Sequence, residues 1–242
     1  MTTDIIDNTP LGTRMKRYEQ TYQQTTPRRA YTLMRLDGRA FHSYLRHAEK
    51  PFDPTFVQHM DEVAVALCKE IQGARFAYTQ SDEVSLLLTD FDSPQSEPWF
   101  GGRVDKMTSI SASIASVVMH ERRRSSSLRP QFDCRVWSMS DPVEVANYFV
   151  WRQRDAVRNS IQMLGQHHFT QAELHCKNTD EIQEMLFQKH RVKWSFLDPE
   201  IKRGRVVAYA AEAWRVSAAP HFTADPDSWL ADVIPPLPTL WS

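Results

Sequence analysis

Between residues 30 and 164 the chain alternates in an order that few folds accept: strand, helix, strand, strand, helix, strand, helix. Residues 30–36 mix β-branched, aromatic and aliphatic side chains, as a buried strand does. Phe56, Met60, Val63, Ala64, Leu67 and Ile71 recur at helical spacing. Asp53-Pro54 ahead of them reads as an N-cap and a first helical proline, with Gly73 expected as the C-cap. Residues 75–79 and 84–88 predict a hairpin, 104–122 a Ser- and Ala-rich helix that can pack closely on a sheet, 132–139 a further strand and 142–164 a long helix. This is the split β-α-β order of a ferredoxin-like sheet, so the expected fold class is α+β.

Flanking this block, residues 1–10 read as a loose arm and 11–24 as a polar helix. After His167-His168, taken as loop, Thr170 with Glu173 predicts a capping box and 179–190 another helix. Residues 194–196 and 205–216 have strand-like alternation, 199–204 a turn, and the proline-containing tail after Ala219 is expected to lie extended on the surface. The expected division is a catalytic domain over 1–165 and a C-terminal extension over 166–242. A formal net charge of −1 excludes a chain that is basic in bulk, so any surface for nucleic acid must be local. Cys68, Cys134 and Cys176 are widely spaced and include no CxxC pair, which fits free thiols in a reducing compartment. With neither an apolar leader nor a membrane-length apolar run, a cytoplasmic protein is expected.

Two acidic turns carry the chemistry. Met34 to His42 reads as a strand ending in Asp37-Gly38 and entering a helix, and Tyr78 to Glu83 places Ser81-Asp82 between two strands. Magnesium is commonly held by one or two carboxylates with phosphate oxygens and water completing its shell. Asp37 and Asp82, with a backbone carbonyl near Gly38, suffice if the two turns meet. Taken alone a strand-end Asp-Gly is more often just a turn. Gly38 would let backbone approach phosphate closely, and Arg35, Arg39, Lys50, Arg103 and Lys106 offer phosphate-binding charge, although any one of them alone is more often ordinary surface charge. Arg122-Arg123-Arg124 suits either an RNA backbone or a helix C-terminus. His42 suits a nucleotide contact or an ordinary polar helix face, and Glu83 reads as a solvated neighbour of Asp82.

The stretches Leu11 to Glu19, Arg35 to His42, Lys50 to Asp53, Tyr78 to Glu83, Phe132 to Val136 and Asn147 to Ala156 together resemble the tRNA-His guanylyltransferase superfamily, over about residues 11–207. The resemblance implies a palm domain related to polymerases and nucleotidyl cyclases that extends RNA in the 3′–5′ direction. A nucleoside triphosphate activates the tRNA 5′ phosphate, and the 3′-hydroxyl of an incoming one attacks it. It implies two Mg2+ per active site on Asp37, Gly38 and Asp82, with GTP and ATP as substrates. Catalytic roles fall on Asp37, Asp82, Lys50, Ser81 and Glu83, and nucleotide contacts on Arg35, Gly38, Arg39, Ala40, Phe41, His42 and Lys106. It implies tRNA as partner and a homotetramer built as a dimer of dimers. One departure stands out. Where the eukaryotic enzymes carry His-Ile-Asn-Asn, this chain has Val157-Arg158-Asn159-Ser160-Ile161. That is similar to the bacterial and archaeal branch, whose members tend to be template-dependent 5′-end repair polymerases, and it points away from obligate, non-templated G addition to tRNA-His. The rival readings are a nucleotide cyclase-like enzyme on the same palm, which needs no RNA, and a non-catalytic RNA-binding protein, against which the paired acidic turns argue.

Overall fold

In the computed structural model, residues 9–122, 128–223 and 225–239 are described. Residues 1–8 of the predicted arm and Arg123 and Arg124 of the basic run lie outside them. Helix α1 (Leu11–Thr21) leads to β1 (Tyr31–Gly38), and a short α2 (Phe41–Tyr44) follows the first acidic turn. Helix α3 (Pro54–Glu70) starts as its sequence dictates, the Asp53 carboxylate accepting from Phe56 N–H at 3.1 Å. Its C-cap is Ile71, in extended backbone, rather than Gly73. Gly73 instead takes positive φ where a Cβ would stand 2.4 Å from the Thr89 carbonyl oxygen. The glycine serves the close approach of two chain segments.

Strands β2 (Ala74–Gln80) and β3 (Glu83–Leu88) form the predicted hairpin. Helix α4 (Val104–Arg122) and β4 (Phe132–Met139) complete the split order, and the four strands stand as β4-β1-β3-β2, all antiparallel. The period-two alternation of β1 then sorts its side chains between two cores. Met34 and Leu36 face the core built with Met60, Val63 and Leu67 of α3 and Met107, Ala115 and Met119 of α4. Tyr31 and Leu33 face the other, against Val145 and Phe149 of the long helix α5 (Pro142–His168). The small residues of α4 behave as expected, Ser111 and Ala115 being fully buried at i, i+4. A fully buried Leu, Met or Phe side chain contributes about 1.5–3 kcal/mol, so these two layers fix the strand ends between them.

The C-terminal third departs from expectation in five places. Helix α5 runs to His168, so His167-His168 is helical, not loop. After α6 (Gln171–Leu174), with its Thr170–Glu173 capping box, and α7 (Thr179–His190), residues 194–196 form a 3-10 turn rather than a strand. Leu197 N–H closes that turn on the Trp194 carbonyl. A short α8 (Pro199–Arg203) replaces the predicted turn, and the 205–216 run is two strands, β5 (Arg205–Ala210) and β6 (Ala213–Ala218), hinged where Ala211 and Glu212 both take positive φ. They extend the sheet to β4-β1-β3-β2-β5-β6. The tail is not merely laid on the surface. Phe222, Leu230 and Ile234 are buried in the α5-side core, the last two on or just after α9 (Trp229–Val233). No helix among the described residues is long and apolar enough to cross a membrane.

Candidate active site

Beyond Leu33, the α5-facing side of β1 continues through Arg35 to Asp37. Asp37 stands at the strand end, opposite Glu83 on one side and Asp133 on the other. The hairpin turn Ser81-Asp82 folds against it, Gly38 N–H donating to the Asp82 carbonyl at 3.1 Å. The two acidic turns therefore meet. Burial and the charge of Asp133 raise the Asp37 carboxyl from its ordinary value, with Arg35, Arg135 and Arg152 opposing. Burial and the neighbouring Asp37 push Asp82 up to about 6. Two like charges held this close and partly desolvated call for a cation. No cluster of three or more His, Cys, Asp or Glu side chains arranged for a metal occurs among the described residues. The donor set is two hard carboxylates, which fits an ion that takes its remaining ligands from phosphate and water. The sign of the pH effect follows. A carboxyl raised in the folded state costs stability as pH climbs from its unfolded value towards about 6, and the cost persists above. Without divalent cation, the melting temperature of Asp82→Asn minus that of the parent should rise between pH 4 and 7 and then level off. A flat difference would remove the case for a strained pair.

Glu83 is buried, not solvated. Arg152 of α5, also buried, donates to it twice, Nε to Oε1 at 2.8 Å and Nη2 to Oε2 at 2.7 Å, and also bonds Asp155 at 2.8 Å. The guanidinium lies over the Trp151 ring at 4.3 Å. Burial raises Glu83 and Arg152 opposes it. The Glu83 carboxylate is thus committed to Arg152, so it ties the strand ends that carry the acidic turns to α5 rather than adding a third free ligand. Arg152 falls within the Asn147 to Ala156 stretch that carries the family resemblance, but nothing in the sequence places it beside Glu83.

Gly38 has a reason other than phosphate approach. A Cβ there would meet the Phe41 ring at 2.6 Å. Phe41 is itself buried, packed on Tyr44, Phe56 and Phe132, so its ring is a core element and only its backbone can face a ligand. Ala40 takes positive φ to make this turn. Gly38→Ala should cost about 1–3 kcal/mol as the ring is displaced, read as a lower denaturation midpoint at unchanged slope. Arg39 and His42 are exposed, Arg39 reaching Gln131 at 3.0 Å and His42 Ser43 at 3.0 Å. Lys50 and Ser81 line one cavity with Phe52, Gln80 and Asn159. Lys106 is not brought to the acidic turns. Its neighbour Met107 lies with Thr32 and Leu88, at the other end of β1 and β3, roughly 17 Å of strand from Asp37. Of the basic run, Arg122 pairs with Glu62 on α3.

A family model described as tRNAHis guanylyltransferase matches residues 12–140. Among solved structures, a bacterial tRNA(His) guanylyltransferase (Thg1)-like protein in complex with ATP is 34% identical with a TM-score of 0.88, covering 93% of this chain and 99% of that one. Another of that description, in complex with GTP, is 33% identical with a TM-score of 0.75, covering 88% and 93%. The chain is also 28% identical over 188 residues to tRNA(His) guanylyltransferase 1 of Arabidopsis thaliana, a match covering 71% of this chain and 32% of that protein.

Proposed function

The chain belongs to the tRNA-His guanylyltransferase family, and from that membership and the acidic site we propose that it is a magnesium-dependent nucleotidyltransferase adding nucleotides to tRNA 5′ ends in the 3′–5′ direction. The observation that carries this reading is the meeting of Asp37 and Asp82 at adjoining strand ends, with Asp82 pushed up to about 6. In this reading the two carboxylates hold Mg2+, which when bound neutralises phosphate charge and polarises the reacting phosphoryl group. Phosphoryl transfer is mostly positioning and charge neutralisation, and the chain's own groups supply both. Arg35 places a cation two residues from Asp37 on the same strand face. Lys50 and Ser81, on the cavity beside the turn, orient a triphosphate, and Arg152 fixes the strand that carries the turn by holding Glu83. ATP or GTP as the bound nucleotide is supported by the relatives solved with each.

The departure at Val157 favours templated 5′-end repair over guanosine addition to tRNA-His. Given a 5′-truncated tRNA and each nucleoside triphosphate singly, the protein should add only the base that pairs with the opposing 3′-strand nucleotide, as read by sequencing the product 5′ end. Addition of G opposite any base would support the guanylyltransferase activity instead, and turnover of nucleotide without RNA would support a cyclase. A dimer of dimers belongs to the same proposal. Lys106, far from the acidic turns of its own chain, would then serve a neighbouring subunit's site.

A further inference from the structure

Away from the acidic turns, residues 187–203 form a basic and aromatic surface in a chain whose formal net charge is −1. Lys189, Arg191, Lys193, Lys202 and Arg203 stand there against Asp198 and Glu200. The cations are organised by rings. Lys193 Nζ lies 4.9 Å from the Phe187 ring centre and 5.4 Å from that of Phe196, Arg191 lies 5.5 Å from Phe187, and Lys202 lies 5.5 Å from Trp194. Lys202 is further held by the Ser195 carbonyl at 2.7 Å. None of these three cations makes an ion pair among the described residues, whereas Lys189 is paired with Glu173. Phe196 is 82% exposed, the tip of the 3-10 turn that replaced the predicted strand. An exposed ring of this size beside Lys193, a cation with no carboxylate partner among the described residues, does nothing for the core. It suits a partner with flat bases and a charged backbone.

Position makes the surface relevant to the site. Glu200 and Ile201 of α8 line the cavity that Ser81 and Lys50 also line, and Lys202 follows on the same short helix. We propose that this surface holds the phosphate backbone of the tRNA substrate, with Arg191, Lys193 and Lys202 on phosphates and Phe196 against an unstacked base or sugar, so that the 5′ end reaches the acidic turns. The proposal rests on tRNA being the substrate, and its test reads binding without nucleotide transfer.

Binding of tRNA to the full chain is measured by fluorescence anisotropy across a salt series. Each neutralised phosphate contributes about 0.9 to the slope of log affinity against log salt on a duplex, so Lys193→Gln with Lys202→Gln should reduce that slope by roughly 2 and weaken binding by about tenfold or more at low salt. Lys193→Arg with Lys202→Arg should retain both values, and Phe196→Ala should weaken binding with an unchanged slope. Nucleotide addition to a short 5′-phosphorylated oligonucleotide, too small to reach the surface, should keep its rate in all of these variants. An unchanged slope in the glutamine variant, or a loss that arginine fails to prevent, overturns the proposal. A protein that binds tRNA through this surface but adds no nucleotide would overturn the enzymatic reading and leave the surface standing.

Discussion

Asp37→Asn and Asp82→Asn should each lower the rate of nucleotide addition by about a thousandfold, equivalent to roughly 4 kcal/mol of transition-state stabilisation. Asparagine keeps the shape of either side chain and removes the charge that a divalent cation needs. The loss should therefore appear in single-turnover rates at saturating magnesium, not in the folded state. Stability should move the other way. Asp82 is raised to about 6 by burial and by Asp37, so removing either charge relieves a repulsion that the isolated fold carries at neutral pH. A variant that is inactive, at least as stable as the parent, and no longer stabilised by added magnesium is the expected triad of results. Asp133 provides the contrast. It stands on β4 directly opposite Asp37 and is exposed, and Asp133→Asn should keep addition within an order of magnitude. Near-parent activity in both Asp37→Asn and Asp82→Asn would end the metal assignment.

The acidic pair was legible in the sequence because each member sits in a local pattern: a strand running into Asp-Gly, and two strands bracketing Ser-Asp. The split β-α-β order then leaves little freedom over which strand ends adjoin, since β1 must lie between β3 and β4. Arg152 was not legible in the same way. Its partner Glu83 is 69 residues away, and nothing in the helix pattern of 142–164 says which of its polar positions turns inward. The signal that was available, a Trp-Arg-Gln run within the predicted long helix of 142–164, marks a polar position in an apolar setting but not its partner. Trp194 to Phe196 misled for a different reason. Three residues of apolar alternation fit a strand and a tight turn equally, and only the missing neighbour strand decides. In the tail, prolines suggested an extended surface path, yet Leu230 and Ile234, four apart, carry a helical spacing that buries both. Gly38 was read for its freedom to approach phosphate, whereas the ring that needs the space belongs to Phe41.

The largest stability effect is expected at Arg152. Arg152→Met keeps much of the side chain's volume but leaves the Glu83 carboxylate buried without its two charge-assisted bonds, beside Asp37 and Asp82. Breaking a buried pair on one side typically costs about 3–5 kcal/mol, which for a chain of this size lowers the melting temperature by about 6–20 °C. Glu83→Gln in the same background should recover most of it, because an amide needs no counter-charge, and the double-mutant cycle should show strong coupling. The pH dependence gives an independent check. With Arg152 gone, the Glu83 pKa rises further, since the guanidinium was holding it down. Stability of the single variant should then improve as pH falls from 8 to 5 and Glu83 takes up a proton, and the Glu83→Gln double variant should lack that slope. Additive, small effects in the cycle would mean that the pair is not what binds α5 to the catalytic strand ends. If the coupling is large and the double variant still adds nucleotide at a measurable rate, Glu83 acts as a positioning residue. Its family-implied catalytic role is then exerted through the strand that carries Asp82.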